Sequence, residues 1–174
     1  MTNGHLSARL GWIAYRFKLW PGIRYGLSTL AMPLRTAQNI LQKENFLILP
    51  LLGINRNVKR EWRTLHRAFG GIGLLDLAVE HTICKINIFV QHYGAGTTVA
   101  KKYGASLEAL QLELGCLGNP LNEDYARYHS LATDSWVKSL WERLHYYRFK
   151  LHVNYNAIQL PRRNDATLRD MFLH

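Results

Sequence analysis

The sequence is poor in cysteine and in acidic residues, and it contains no long apolar run. Its two cysteines, Cys84 and Cys116, lie far apart on apolar stretches, which argues against a disulfide framework or a zinc knuckle and predicts two buried thiols. The longest apolar run, from Phe46 to Leu52, is much too short to cross a bilayer. We therefore expect no membrane partner for this chain.

The sequence also lacks a recognisable set of catalytic or metal-binding residues. Polymerases and nucleases hold two metal ions between neighbouring carboxylates. The nearest acid pairs here are Glu123 with Asp124 and Asp165 with Asp170, and we interpret all four as solvated surface. The eight histidines form no His-x-x-x-His pair, and the nucleophile motif Gly-x-Ser-x-Gly is missing. The sequence therefore predicts no metal, no cofactor and no enzymatic activity.

Positive charge, by contrast, is in clear excess. The chain carries 22 Lys and Arg against 12 Asp and Glu, a formal net charge of +10 at pH 7, and no acidic residue precedes Glu44. A basic surface concentrates phosphates by long-range attraction, so a polyanion such as a nucleic acid is the favoured partner. Charge alone leaves open the alternative that these residues only form a solvated face.

The densest basic segment spans residues 55–67, where Glu61 is the only acid. A glycine triplet follows it within a few residues. The triplet lacks the Lys-Ser/Thr ending of a phosphate-binding loop, so we interpret it as a structural turn that requires positive φ at one or more positions. The expected phosphate contacts are Arg56, Lys59, Arg60, Arg63 and Arg67, and the turn residues are Gly70, Gly71 and Gly73.

Apolar spacing predicts a mainly α-helical fold, a bundle of about six to eight helices with the glycine-rich turn among them. Ser7 is expected to cap the first helix through its side-chain oxygen. Asp76 is expected to cap a long and deeply buried helix that ends near His92.

Several helix boundaries are expected from proline, glycine and capping residues. Pro21 should interrupt the first helix, and Gly104 should separate two short helical pieces. Thr133 is expected to cap a helix that ends near Tyr147. The alternation from Arg148 to Val153 suits a short strand, which leaves one short strand pair open.

Six short motifs occur in a fixed order from about Leu10 to Leu173. They are Trp20-Pro21 with Tyr25-Gly26-Leu27, Leu52-Gly53-Ile54-Asn55-Arg56, Gly70-Gly71-Ile72-Gly73-Leu74-Leu75-Asp76-Leu77, Gln111-Leu112-Glu113-Leu114-Gly115, Trp136-Val137-Lys138-Ser139-Leu140-Trp141, and an ending with Pro161, Arg163-Asn164-Asp165 and Met171-Phe172. Together they resemble the region that follows the polymerase domain in RNA-directed DNA polymerases, the reverse transcriptases, of retrotransposon-type mobile elements.

This resemblance implies a thumb-like and connecting helical region that grips a template–primer duplex beside the active site. Residues 1–118 would be the thumb-like domain, with the basic segment 55–67, and residues 119–174 a C-terminal helical extension. The partners would be an RNA or DNA duplex, held through its phosphates with little base preference, and the missing polymerase palm. Arg163 is a further expected phosphate contact.

The chain departs from the full-length family in one decisive respect. The Tyr-x-Asp-Asp carboxylates of the palm and the acid cluster of an RNase H domain are both missing. We therefore expect a non-catalytic holding module that works inside the cell, in the nucleus or the cytoplasm. A truncated gene, a separated domain and a decayed copy are all compatible with the sequence.

Two other functions and the oligomeric state stay open. The chain can be a helical remnant that binds another protein or forms an oligomer through apolar faces, and a large exposed apolar patch would favour that function. A helical enzyme of unrecognised type is the third alternative, although no catalytic constellation supports it.

Overall fold

The computed structural model of the chain describes residues 7–152, apart from the side chains of residues 41–46. This part of the chain is mainly helical and contains no strand, which confirms the predicted fold class. The strand suggested for Arg148 to Val153 is wrong for residues 148–152, and Val153 lies outside the described residues. The α-helices are α1 (Ala8–Ala14), α2 (Trp20–Leu27), α3 (Leu34–Leu51), α4 (Arg60–Thr64), α5 (Leu77–His92), α6 (Thr98–Leu114), α7 (Tyr125–Tyr128) and α8 (Trp136–Tyr147).

The chain divides into two compact units within α5, between Cys84 and Lys85. The first unit contains α1 to α4 and the start of α5, and the second contains the rest of α5 and α6 to α8. The domain boundary expected after residue 118 stays a prediction. None of the helices among residues 7–152 is both long and apolar enough to cross a membrane.

The first helix begins where the sequence predicts but does not stop at the proline. The Oγ atom of Ser7 accepts a hydrogen bond from the backbone N–H of Leu10 at 3.4 Å, which confirms the expected cap. The helix then passes through a π-helical turn, Tyr15–Leu19, directly into α2, where Pro21 occupies the first turn. The wider π turn accommodates the ring of Pro21, which would clash with a backbone carbonyl in a regular helix. The predicted helix break at Pro21 is therefore wrong.

We call the continuous helix over residues 8–27 the N-terminal rod. One of its sides packs into the core of the first unit, against the end of α3 and the start of α5. Tyr15 also contributes a hydrogen bond to this packing, because its Oη atom accepts from the backbone N–H of Leu75 at 3.2 Å. The buried residues of this core are Tyr15, Trp20, Leu27, Leu49, Leu52, Leu74 and Leu77.

The cap of α5 is also confirmed. The Oδ1 atom of Asp76 accepts hydrogen bonds from the backbone N–H groups of Ala78 at 2.9 Å and Val79 at 3.3 Å. Of the two thiols expected to be buried, Cys116 is buried and Cys84 is only half-buried.

Two expected boundaries in the second unit are wrong. Helix α6 runs without a break through Gly104, because its apolar side is continuous and outweighs the roughly 1 kcal/mol helix penalty of one glycine. Helix α8 is capped by Ser135, whose Oγ accepts from the backbone N–H of Lys138 at 3.0 Å. The hydroxyl of Thr133 instead donates to Oε1 of Glu113 at 2.6 Å.

The core of the second unit forms where α6 and α8 pack with Phe89 of α5. Trp141 and Leu140 are completely buried at its centre. Its buried residues are Phe89, Leu107, Leu110, Leu114, Cys116, Leu121, Tyr128, Ala132, Val137, Leu140, Trp141 and Leu144.

The second unit also buries two basic side chains, Lys85 and Arg143. The terminal nitrogen of Lys85 lies 4.5 Å from the centre of the Trp136 ring and donates hydrogen bonds to the Oγ of Ser139 and, at 3.3 Å, to the carbonyl of Trp136. Burial, and next the positive charge of Arg143, lower the pKa of Lys85 to about 7, although Glu142 opposes them. Lys85 therefore stays largely uncharged above neutral pH.

This lowered pKa predicts that stability rises with pH. Between about pH 7 and pH 10 the unfolded chain keeps a proton on Lys85 that the folded chain has lost, which adds up to about 1.4 kcal/mol of stability per pH unit. Replacing Lys85 with Met removes this contribution. We expect urea titrations at about pH 7.5 and pH 9, below the pH range in which tyrosine ionises, to show that the free energy of unfolding rises clearly in the wild type. In K85M it should rise less. Equal slopes in both proteins would contradict a neutral buried lysine.

Candidate nucleic-acid interface

The basic segment, residues 55–67, lies in the first unit and runs from a loop into the short helix α4. Four of the five expected contact residues, Arg56, Lys59, Arg60 and Arg67, are exposed, whereas Arg63 is half-buried. Four of the cations are therefore exposed together on one short segment, whereas Arg63 has a different environment.

Arg63 ties the two ends of the loop together. Its Nε donates to the carbonyl of Val58 at 2.6 Å, and its Nη2 donates to the carbonyl of Arg56 at 2.7 Å. These bonds close the backbone from residue 56 to residue 63 around one guanidinium group. A guanidinium group has five N–H donors. The two hydrogen bonds therefore fix the position of the Arg63 side chain and leave other donors on the group.

Arg60 and Arg67 are also held by contacts within the first unit. The Nη2 of Arg60 lies 2.8 Å from Oδ2 of Asp76, the residue that caps α5. The Nε of Arg67 donates to the carbonyl of Ile72 at 3.1 Å, and its guanidinium carbon lies 4.6 Å from the centre of the Trp12 ring. Three of the five arginine and lysine side chains thus have a structural role that the sequence did not indicate.

The glycine turn folds back on the basic segment as expected of a structural element. Gly70 and Gly73 have φ angles of 80° and 73°, in the left-handed region that favours glycine. At Gly71, where φ is ordinary, an added Cβ would lie 2.0 Å from the carbonyl oxygen of Leu65. Only glycine fits at that position.

The backbone N–H groups of this turn are bonded to carbonyls of the basic segment. Ile72 donates to Trp62 at 2.9 Å, Gly73 to Leu65 at 3.0 Å and Leu74 to Arg63 at 2.8 Å. A phosphate-binding loop needs such N–H groups to point outward. The turn therefore works as a backbone clasp for the basic segment, and phosphates would be held by side chains.

The N-terminal rod, which carries further cations, contacts the basic segment. The N-terminal rod touches this segment where Trp12 lies under Arg67, and a Cβ added to Gly53 would lie 3.4 Å from the Cβ of Ala8. The rod carries the exposed residues Arg9, Arg16 and Lys18. Sequence reasoning did not select them, although the lack of any acid before Glu44 was the signal.

Three of the remaining candidates, Arg163, Asp165 and Asp170, lie outside the described residues. Asp124 caps α7 by accepting from the backbone N–H of Ala126 at 3.0 Å, a structural role. Among the side chains that the structure describes, no three His, Cys, Asp or Glu are grouped so that they could hold a metal ion.

No family model matches the sequence, and no curated protein or solved structure is significantly similar to the chain. The physical chemistry of the chain's own residues therefore carries the functional interpretation.

Proposed function

We propose that this chain is a non-catalytic module that holds a nucleic-acid duplex through its phosphates. The observation that supports the proposal best is the charge of the first unit. Residues 7–84 contain eleven Lys and Arg but only four Asp and Glu. Two of those acids, Asp76 and Glu80, already lie beside Arg60 and Arg24. The remaining cations greatly exceed the remaining acids, which favours a polyanionic partner.

The proposed contacts are exposed apart from Arg63. Arg56 and Lys59 lie on the loop before α4, and Arg60 and Arg67 follow them along the chain. Arg60, Arg63 and Arg67 add positive charge at fixed positions, and a guanidinium that is already held loses less side-chain entropy when a phosphate binds. Because these groups meet phosphates and not base edges, binding would show little sequence preference.

The resemblance to the region that follows the polymerase domain of reverse transcriptases gives this proposal a biological context. In that context the chain would hold an RNA or DNA template–primer duplex inside the cell, next to a separate polymerase palm. Arg163, in the family's C-terminal motif, would be an additional contact. Catalysis would belong to the palm, since this chain lacks its carboxylates.

A salt titration tests the proposed interface. If five phosphates are neutralised, the slope of log affinity against log salt should be about −4 to −5 on a B-form DNA duplex. The double variant R56Q/K59Q removes two charges and should flatten the slope by about two units, to a similar extent for unrelated sequences. Fluorescence anisotropy of a labelled duplex between about 50 and 200 mM KCl gives both values.

The control is the double variant K101Q/K102Q, which removes the same charge from exposed positions of α6 in the second unit. It should keep the wild-type slope. An equal effect of both double variants would show that only net charge matters and that the basic segment is a solvated face. A second titration with an RNA–DNA hybrid compares the two kinds of duplex.

A further inference from the structure

The outer side of the N-terminal rod carries an exposed apolar stripe. Leu10 and Ile13 are 50% and 47% exposed, and Phe17 and Tyr25 are 74% and 90% exposed. Pro21, between the last two, is exposed as well. The rod's opposite side already packs into the core of the first unit. The rod is therefore apolar on two sides, and one of them faces outward.

The π turn keeps this stripe on one side of the rod. The residues of the stripe follow one another at intervals of three or four. Four residues of a regular α-helix rotate by about 40° more than a full turn, so a row of residues spaced four apart would gradually wind around the helix. The π turn Tyr15–Leu19 has more residues per turn and offsets this drift. Residues 10 to 25 therefore form one continuous line.

Cations accompany the stripe. Arg9, Arg16, Lys18 and Arg24 are exposed on the same rod, which contains no acid of its own, and of these four Arg24 lies 3.7 Å from Glu80 of α5. A second copy of the rod would bring like charges together, which is destabilising. The chemistry that complements this surface is apolar in the middle and negatively charged along its edges.

The width and composition of the stripe favour a protein helix as its partner. A single line of side chains at intervals of three and four is the seam typical of two packed helices, whereas a helix that lies in a bilayer presents a broad apolar face. Nucleic acid would use aromatic rings for stacking, but Leu10 and Ile13 are aliphatic.

We propose that the outer side of the N-terminal rod docks an acidic amphipathic helix of a partner protein. The partner's apolar residues would pack between Leu10, Ile13 and Phe17. Its carboxylates on either side of that seam would meet Arg9, Arg16 and Lys18. This is recognition by the packing of two helices, with charge setting the choice of partner. The apolar stripe is not part of the proposed duplex interface, although Arg9, Arg16 and Lys18 also add to the positive charge of the first unit.

The probe is a fluorescently labelled synthetic helix of about three heptads, with Leu at positions a and d and Glu at e and g. Repulsion between its own glutamates keeps it from pairing with itself. We expect the full chain to bind it in an anisotropy titration. The double variant I13Q/F17Q should weaken binding at least tenfold. A matching peptide with Lys in place of Glu should not bind.

Two controls separate docking from unfolding and from duplex binding. V90Q/L112Q replaces two similarly exposed apolar residues in the second unit and should bind the peptide as the wild type does. I13Q/F17Q should keep its circular dichroism spectrum, and its duplex affinity and salt slope should not change. If that variant unfolds, the single variant F17Q, at a position that is 74% exposed, takes its place.

Three results would overturn the proposal. One is absence of binding of the acidic peptide to the wild-type chain, and another is equal binding to the wild type and the folded stripe variant. The third is binding to vesicles of phosphatidylcholine and phosphatidylglycerol without binding to the peptide, which would make a lipid surface the partner. Absence of duplex binding in the wild-type chain would instead refute the proposed function and would not affect the docking proposal.

Discussion

Replacing Trp141 with Ala is expected to lower the free energy of unfolding by about 3–5 kcal/mol, a large share of a typical domain's stability. Trp141 is completely buried in the core of the second unit. Its indole Nε1 donates to the carbonyl of Glu123 at 2.8 Å, and its ring meets Tyr125 edge-on with centres 4.9 Å apart. The substitution leaves a cavity and removes this hydrogen bond, and both effects are destabilising.

Urea denaturation followed by far-ultraviolet circular dichroism measures this loss. The control is Trp62→Ala, because Trp62 is 52% exposed on α4 and its side chain lies at the surface of the first unit. We expect W62A to change stability by less than about 1 kcal/mol. Comparable losses in W141A and W62A would mean that the second unit is not organised around Trp141.

Replacing Gly71 with Ala is expected to have the second large effect, a loss of about 3 kcal/mol or more in the stability of the first unit. The added Cβ would lie 2.0 Å from the carbonyl oxygen of Leu65 and 2.5 Å from its carbonyl carbon. Backbone atoms cannot move aside as a flexible side chain can. The clasp must open, and its three cross-loop hydrogen bonds contribute roughly 1 kcal/mol each.

Gly104→Ala is the matched control for this substitution. Gly104 lies inside α6, and an added Cβ there would meet no atom within 4 Å. Alanine has the higher helix propensity, so G104A should stabilise the protein by about 0.5–1 kcal/mol. Thermal denaturation of the two variants should therefore shift in opposite directions. A melting temperature unchanged by G71A would contradict the close approach of the turn to Leu65.

For the candidate interface, the sequence located the basic residues but not their individual environments. It selected Arg60, Arg63 and Arg67 as phosphate contacts of equal standing. The structure instead pairs Arg60 with Asp76, encloses Arg63 between two carbonyls and places Arg67 over Trp12. Charge can be counted along a chain, but a guanidinium's partners depend on which backbone segments fold next to it.

The sequence by itself determined the helical class, the caps at Ser7 and Asp76 and the glycine turn. Each of these depends on residues within about four positions of one another, where periodicity, capping and φ preferences act. Only the tertiary structure decided that α6 continues through Gly104 and that Lys85 is buried beside Trp136, which is 51 residues away. Packing between distant segments outweighs weak local preferences of about 1 kcal/mol, and neither the segments nor their distance can be read from local patterns.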